Sequence, residues 1–99
     1  MRYLALLCLM LTACASPDRA FWGSDPVPVR IDGRDYAVYV RRDTAPPRVQ
    51  VIRLGYAHRA EHPAIVAAMG QAAEQGSGCA LMAGSARGDS GVMTARLSC

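Results

Sequence analysis

Two histidines and a glutamate have the types and spacing that a metal site requires. His58, Glu61 and His62 form the pattern H-x-x-E-H, in which two imidazoles on one helical face hold Zn²⁺ and the carboxylate activates a bound water for hydrolysis. Pro63 follows directly, and the residue before a proline is disfavoured in helical geometry, so we expect the helix to begin where this pattern ends. These three residues are therefore weak metal candidates, and histidines in a surface loop are the favoured interpretation.

Composition and the remaining motifs argue against several function classes. The chain has 99 residues, with 11 Lys+Arg and 8 Asp+Glu, and a net charge of +3 is too small for a typical nucleic-acid-binding protein. No serine lies in a G-x-S-x-G turn, no cysteines form a C-x-x-C pair, and no paired carboxylates share a predicted strand or helix. We therefore expect a non-enzymatic protein that uses no cofactor and no small-molecule substrate.

The first fourteen residues combine a basic start, an apolar run and a small-residue segment that ends in cysteine. Arg2 precedes the apolar run, and Leu11-Thr12-Ala13-Cys14 closes it. This segment resembles the signal peptide of bacterial lipoproteins, whose lipobox ends in a modified cysteine. The resemblance implies removal of residues 1–13 and attachment of three acyl chains, such as palmitate, to Cys14. The run is too short to span a bilayer, whereas three acyl chains anchor a protein firmly.

The residue after the lipobox cysteine indicates which of the two bacterial membranes holds the anchor. Ala15 stands where the family's signal for inner-membrane retention has aspartate, so the resemblance implies the periplasmic face of the outer membrane. The alternative is an ordinary secretory signal that leaves Cys14 as a free thiol. Residues 14–26 then form a lipidated tether. In this tether, Phe21 and Trp22 either dock onto the domain, which we favour, or contact the lipid head groups or a partner.

Two later cysteines fit an oxidising compartment. With Cys14 used by lipid, Cys79 and Cys99 remain as an even pair, and we expect a disulfide between them. In the chain-entropy account, a bridge that closes about 20 residues stabilises a fold by roughly 3 kcal/mol. This is a large share of the stability of a domain limited to residues 27–99.

A β-hairpin is predicted first in this domain, over residues 27–41. Apolar residues alternate on both sides of Asp32-Gly33, a dipeptide typical of a two-residue type I′ turn. This turn pairs Ile31 with Arg34, and Pro28 makes the first strand an edge strand. A third strand covers residues 48–54, where a change of parity at Ile52 indicates either a bulge or two covered faces.

A helix and a second hairpin complete the pattern. The helix is predicted over residues 63–75, with one apolar stripe formed by Ile65, Val66, Met69, Ala72 and Ala73. The second hairpin joins residues 79–85 to residues 92–99. Opposing Cys79 and Cys99 directly places Leu81 opposite Leu97 and Ala83 opposite Ala95, although a diagonal bridge remains the alternative. The element order β-β-β-α-β-β predicts an α+β fold, in which about five antiparallel strands carry one helix on one face.

A basic surface is the candidate binding site. Four side chains are predicted to point away from the helix-covered core, namely Arg30, Tyr39, Arg41 and Arg96. Three more arginines lie nearby in the sequence, and three aspartates could neutralise the face: Arg42, Arg48 and Arg53, and Asp32, Asp35 and Asp43. Such a face suits an acidic partner, lipid phosphates or acidic glycans, and the alternative is a solvated face whose arginine stems cover the sheet.

The sequence therefore predicts a non-catalytic lipoprotein of the cell envelope that acts as an accessory or binding module. Its expected partners are the membrane, through the anchor, and an envelope protein. One alternative is an inhibitor of an incoming hydrolase, which would act through the loop 87–91. A less favoured alternative is a small metal-binding protein that uses His58 and His62. The tripeptide Arg87-Gly88-Asp89 is interpreted as hairpin-turn chemistry rather than as an adhesive motif.

Overall fold

One α-helix lies across one face of an antiparallel sheet in the computed structural model, which describes residues 16–99. The lipobox and Cys14 lie outside the described residues. The strands are β1 (Val27–Ile31), β2 (Arg34–Arg41), β3 (Arg48–Arg53), β4 (Ala80–Leu81), β5 (Arg87–Gly88) and β6 (Val92–Ser98). The helix is α1 (His62–Ser77), and short 3-10 turns cover Arg19–Phe21 and Arg59–Glu61. The predicted α+β fold is thus confirmed.

Non-local pairing sets the strand order. The order is β1-β2-β3-β6-β4, and β5 pairs with another part of β6. The first hairpin has the predicted register, with Ile31 opposite Arg34. Its turn residues Asp32 and Gly33 have φ angles of 50° and 77°, as a type I′ turn requires. Strand β1, which contains Pro28, lies at the edge of the sheet, where a missing N–H is tolerated.

The third strand is covered on both faces and contains no bulge. Its register with β2 and with β6 runs without interruption through Ile52. Val51 faces α1 and belongs to the main core, whereas Gln50 and Ile52 point to the other face and are also buried. The change of parity in the sequence therefore reflects a second covering layer.

The helix packs its small and apolar residues on the sheet. It buries Ile65, Ala68, Met69, Ala72 and Ala73, whereas Val66 is half exposed. The prediction for Val66 was wrong because one residue corresponds to about 100° of rotation, and Ala68 completes the buried stripe instead. Within residues 16–99, no helix is long and apolar enough to cross a membrane.

One glycine allows the end of the helix to approach the sheet. A Cβ atom on Gly76 would lie 2.8 Å from Cβ of Val38, which is too close for a carbon–carbon contact. A Cβ atom on Gly70, in the middle of the helix, would lie at an ordinary 3.6 Å from Cδ1 of Leu81. The helix ends at Ser77, and the next residue, Gly78, forms a left-handed cap with a φ of 74°.

The C-terminal part of the fold departs from a regular hairpin. A disulfide joins Cys79 to Cys99, and Leu81 lies opposite Leu97, as predicted. The predicted pairing of Ala83 with Ala95 is wrong, because β4 ends at Leu81 and the chain turns over residues 82–86 before it rejoins the edge of β6. Arg87 then lies opposite Thr94, three residues out of register with the Leu81–Leu97 pair.

Candidate anion-binding site

Three arginines form a row across the sheet face that points away from α1, here called the open face. Arg41 on β2 lies opposite Arg48 on β3, and Arg48 lies opposite Arg96 on β6. Side chains that oppose each other directly on adjacent antiparallel strands have Cβ atoms about 5 Å apart, and like charges in these positions destabilise a sheet. The like charges in this row therefore repel one another, and arrangements that destabilise a fold in this way are expected at functional sites.

The N-terminal segment, residues 16–24, lies across the open face beside this row. Gln50, which is fully buried, accepts a hydrogen bond from the backbone N–H of Asp18 at 2.8 Å. Its amide nitrogen donates to Oδ2 of Asp18 at 2.9 Å and to Oγ1 of Thr94 at 3.0 Å. Phe21 is only 1% exposed, while Trp22 is 65% exposed. The docking predicted for these two aromatic residues is thus confirmed for Phe21 only.

The first arginine of the row holds this segment in place. Nη1 of Arg41 donates to the carbonyl oxygen of Ala20 at 3.0 Å, and Nε donates to Oδ1 of Asp43 at 2.8 Å. This ion pair lowers the pKa of the Asp43 carboxyl group, with the hydrogen bond from Arg41 as the main cause. Arg41 is therefore held by Asp43 and by the N-terminal segment, whereas Arg48 and Arg96 have no such contacts among residues 16–99.

A cleft of about 410 Å³ opens beside Arg48 and Arg96, and we call it the arginine cleft. Its lining residues are Asp18, Arg48, Ser85, Arg87, Thr94, Ala95 and Arg96. The turn that breaks the predicted hairpin contributes Ser85. The hydroxyl group of Ser85 donates to the carbonyl oxygen of Met82 at 2.7 Å and accepts from the backbone N–H of Arg96 at 3.1 Å. This contact fixes the turn and brings Arg87 beside the row.

Positive charge dominates the arginine cleft. Within residues 16–99, neither Arg48 nor Arg96 forms an ion pair or a side-chain hydrogen bond, and both are exposed. Arg87 is held by the carbonyl oxygens of Gly84 and Ala86, both at 2.9 Å, and meets no carboxylate. The one acidic lining residue, Asp18, is engaged by Gln50. Three guanidinium groups around a single carboxylate form an arrangement that suits a phosphate or a carboxylate ligand.

The structure divides the basic face that the sequence predicted. Of Arg30, Tyr39, Arg41 and Arg96, only Arg96 lines the arginine cleft. Arg30 lies on the edge strand and pairs with Asp35 at 3.2 Å, which neutralises it. Tyr39 is half-buried opposite Gln50, and Arg41 binds Asp43 and the N-terminal segment, as described above.

Sequence reasoning missed the contribution of Arg87 and understated that of Arg48. The two arginines at the facing ends of β2 and β3 flank a short proline-containing loop, and this signal predicts that Arg41 opposes Arg48. No comparable signal places Arg87 in the cleft, because its position depends on the turn over residues 82–86.

The predicted metal candidates lie elsewhere and have other contacts. His58 precedes the helix, as predicted, and its backbone N–H donates to Oε2 of Glu61 at 2.9 Å. That bond, followed by the charge and the hydrogen bond of Arg34, lowers the pKa of the Glu61 carboxyl group. Nδ1 of His62 lies 2.7 Å from Oγ of Ser90, which ties the start of α1 to the hairpin tip. Within residues 16–99, no three His, Cys, Asp or Glu residues are grouped for metal binding.

The Arg87-Gly88-Asp89 tripeptide has a structural role at the hairpin tip. Oδ1 of Asp89 accepts from the backbone N–H groups of Gly91 at 2.7 Å and Val92 at 3.1 Å. These two bonds lower the pKa of the Asp89 carboxyl group. The aspartate therefore caps the turn, whereas Arg87 lines the arginine cleft.

Comparisons of this chain with protein-family models, curated proteins and solved structures found no match.

Proposed function

We propose that this protein is a lipid-anchored, non-catalytic binding module of the bacterial cell envelope that holds an anionic ligand in the arginine cleft. The lipobox supports the anchor, and Ala15 supports the periplasmic face of the outer membrane as the location. The cleft supports binding, because it combines an open volume of about 410 Å³ with three guanidinium groups.

One observation carries the binding proposal. Arg48 and Arg96 are register partners and have no acidic partner among the described residues. Two directly opposed cations destabilise a sheet, and an anionic ligand between them converts this repulsion into attraction. Since each guanidinium group can form two parallel hydrogen bonds with a phosphate or carboxylate, the pair also provides directional recognition.

The anchor has its own test. We expect that Cys14→Ser prevents acylation and leaves the unprocessed precursor, because the thioether forms on the sulfur atom of this cysteine. Metabolic labelling with a fatty acid and the apparent mass of the protein measure both effects. A mature, membrane-retained Cys14→Ser protein would contradict the lipoprotein assignment.

The cleft is tested by photocrosslinking in intact envelopes. The chain contains no lysine, so a photoreactive residue replaces the exposed Ala86, which adjoins Arg87. The full chain is compared with its Arg96→Glu and Arg30→Glu variants. We expect Arg96→Glu to reduce capture at least tenfold, because it places a carboxylate where the anion binds and so removes well over 1.4 kcal/mol of binding free energy.

Arg30→Glu is the matched control, since it makes the same charge change on the same sheet face at a residue outside the cleft. Capture should therefore persist in this variant. Equal capture by both variants would refute binding through the arginine cleft. If the product retained by Arg96→Glu were a hydrolase, the result would instead favour the alternative, inhibition through the loop 87–91.

A further inference from the structure

The path of the N-terminal segment indicates which anion the cleft meets. We infer that the arginine cleft binds the phosphate groups of anionic phospholipids in the membrane that carries the anchor, so that the open face of the sheet lies on the bilayer. This inference rests on the proposed function and specifies the ligand and the orientation of the domain.

The distance between the anchor and the cleft is short. Both the backbone N–H and the carboxylate of Asp18 are fixed to the buried Gln50, and Asp18 lines the cleft. Only four residue steps separate Cys14 from Asp18 in the sequence. A fully extended chain advances at most about 3.6 Å per residue, so the acyl chains must leave the protein within roughly 14 Å of Asp18. This reach keeps the anchor close to the arginine cleft, which Asp18 lines.

The open face differs in charge from the helix that covers the opposite face of the sheet. The open face carries the exposed guanidinium groups of Arg48, Arg87 and Arg96. On the other side, α1 contains one carboxylate, Glu74, and neither lysine nor arginine. An anionic bilayer surface attracts nearby arginines, and the attraction falls off within a Debye length of about 10 Å. The anchor thus keeps the arginines of the open face within the range of this attraction.

The segment next to the anchor also presents an aromatic ring. Trp22 is 65% exposed, although its indole N–H donates to the carbonyl oxygen of Pro17 at 3.1 Å. The guanidinium carbon of Arg19 lies 5.7 Å from the centre of the ring. An amphipathic ring beside a cation suits the interfacial layer of a bilayer, where Trp and Tyr are enriched. Trp22 therefore extends the proposed lipid-facing surface.

The fluorescence of Trp22 provides the test, since it is the only tryptophan of the chain. The full-length acylated protein is reconstituted in vesicles of phosphatidylethanolamine alone, or of phosphatidylethanolamine with an equal amount of phosphatidylglycerol. A lipid with a spin-labelled headgroup quenches the tryptophan only when the segment lies at the surface. We expect stronger quenching in the vesicles that contain phosphatidylglycerol, and we expect high salt to remove the difference.

Substitutions of the cleft arginines test whether the quenching of Trp22 depends on the cleft. Each arginine near an anionic surface contributes about a fivefold effect, so Arg48→Gln/Arg96→Gln should shift the equilibrium between docked and lifted domains by roughly 25-fold. Arg59→Gln, in the exposed 3-10 turn that precedes α1 and away from the open face, should leave the quenching unchanged. Equal quenching in both kinds of vesicle, or equal quenching by the double variant and the wild type, would overturn the inference.

A titration with glycerol 3-phosphate separates a soluble phosphate from a lipid headgroup. Competition that reverses quenching in the anionic vesicles agrees with a phosphate site that the lipid fills. If glycerol 3-phosphate binds the cleft while quenching remains independent of phosphatidylglycerol, the ligand is soluble. The membrane inference then fails, and the proposed function stands. If crosslinking from residue 86 captures only a protein, the lipid assignment is also overturned. If no captured product depends on Arg96, the proposed function itself is overturned.

Discussion

Replacing Cys79 and Cys99 together by serine should lower the free energy of unfolding by about 3 kcal/mol. The disulfide joins residues 20 positions apart and so restricts the unfolded chain. In the folded state, it fixes Cys99, which follows β6, beside the start of β4, a strand of only two residues. Without the bridge, we expect β4 and the C-terminal end of β6 to separate before the rest of the sheet.

Urea unfolding of the oxidised protein and of the double-serine variant measures this effect. Wild-type protein treated with a reductant is the matched control, since it breaks the same bond without changing other atoms. Both samples should show the same loss of stability, and non-reducing peptide mapping should recover Cys79 linked to Cys99. A change below about 1 kcal/mol would show that the bridge contributes little to this fold.

Phe21→Ala should destabilise the protein by about 3 to 5 kcal/mol, the range typical of a buried phenylalanine. Phe21 is 1% exposed but lies outside the core between α1 and the sheet. It belongs to the N-terminal segment, whose 3-10 turn packs against β2. Its loss should loosen that segment and expose the amide group of Gln50 to water. The same change should lengthen the tether and weaken the predicted orientation on the membrane.

Trp22→Ala is the control for this prediction. It removes a neighbouring aromatic side chain that is 65% exposed, and exposed positions usually change stability by less than about 0.5 kcal/mol. Thermal unfolding of both variants therefore shows whether stability depends on the burial of the side chain or only on its being aromatic. Equal effects of the two substitutions would contradict the view that residues 16–24 are an integral part of the fold.

Local patterns account for the parts of the fold that were predicted correctly. Asp32-Gly33 permits a tight turn, and the alternating residues on each side leave one register that buries them together. The helix begins one residue before its predicted start, with Pro63 accepted in the first turn. The expectation that the residue before this proline would not be helical was wrong, since His62 has helical φ and ψ angles of −57° and −43°. Val66 was misplaced because the edge of an apolar stripe depends on which neighbouring strand the helix meets.

The sequence by itself determined the first hairpin, the helix, the disulfide partners and the expectation of a lipid anchor. Each of these depends on nearby residues or on a simple count of cysteines. Only the tertiary structure decided which arginines form a site. Arg48 meets Arg96 through the pairing of β3 with β6, and Arg87 joins them because the turn over residues 82–86 shifts the register by three residues. Contacts between residues so far apart along the chain depend on the packing of all the strands at once, and no local spacing encodes them.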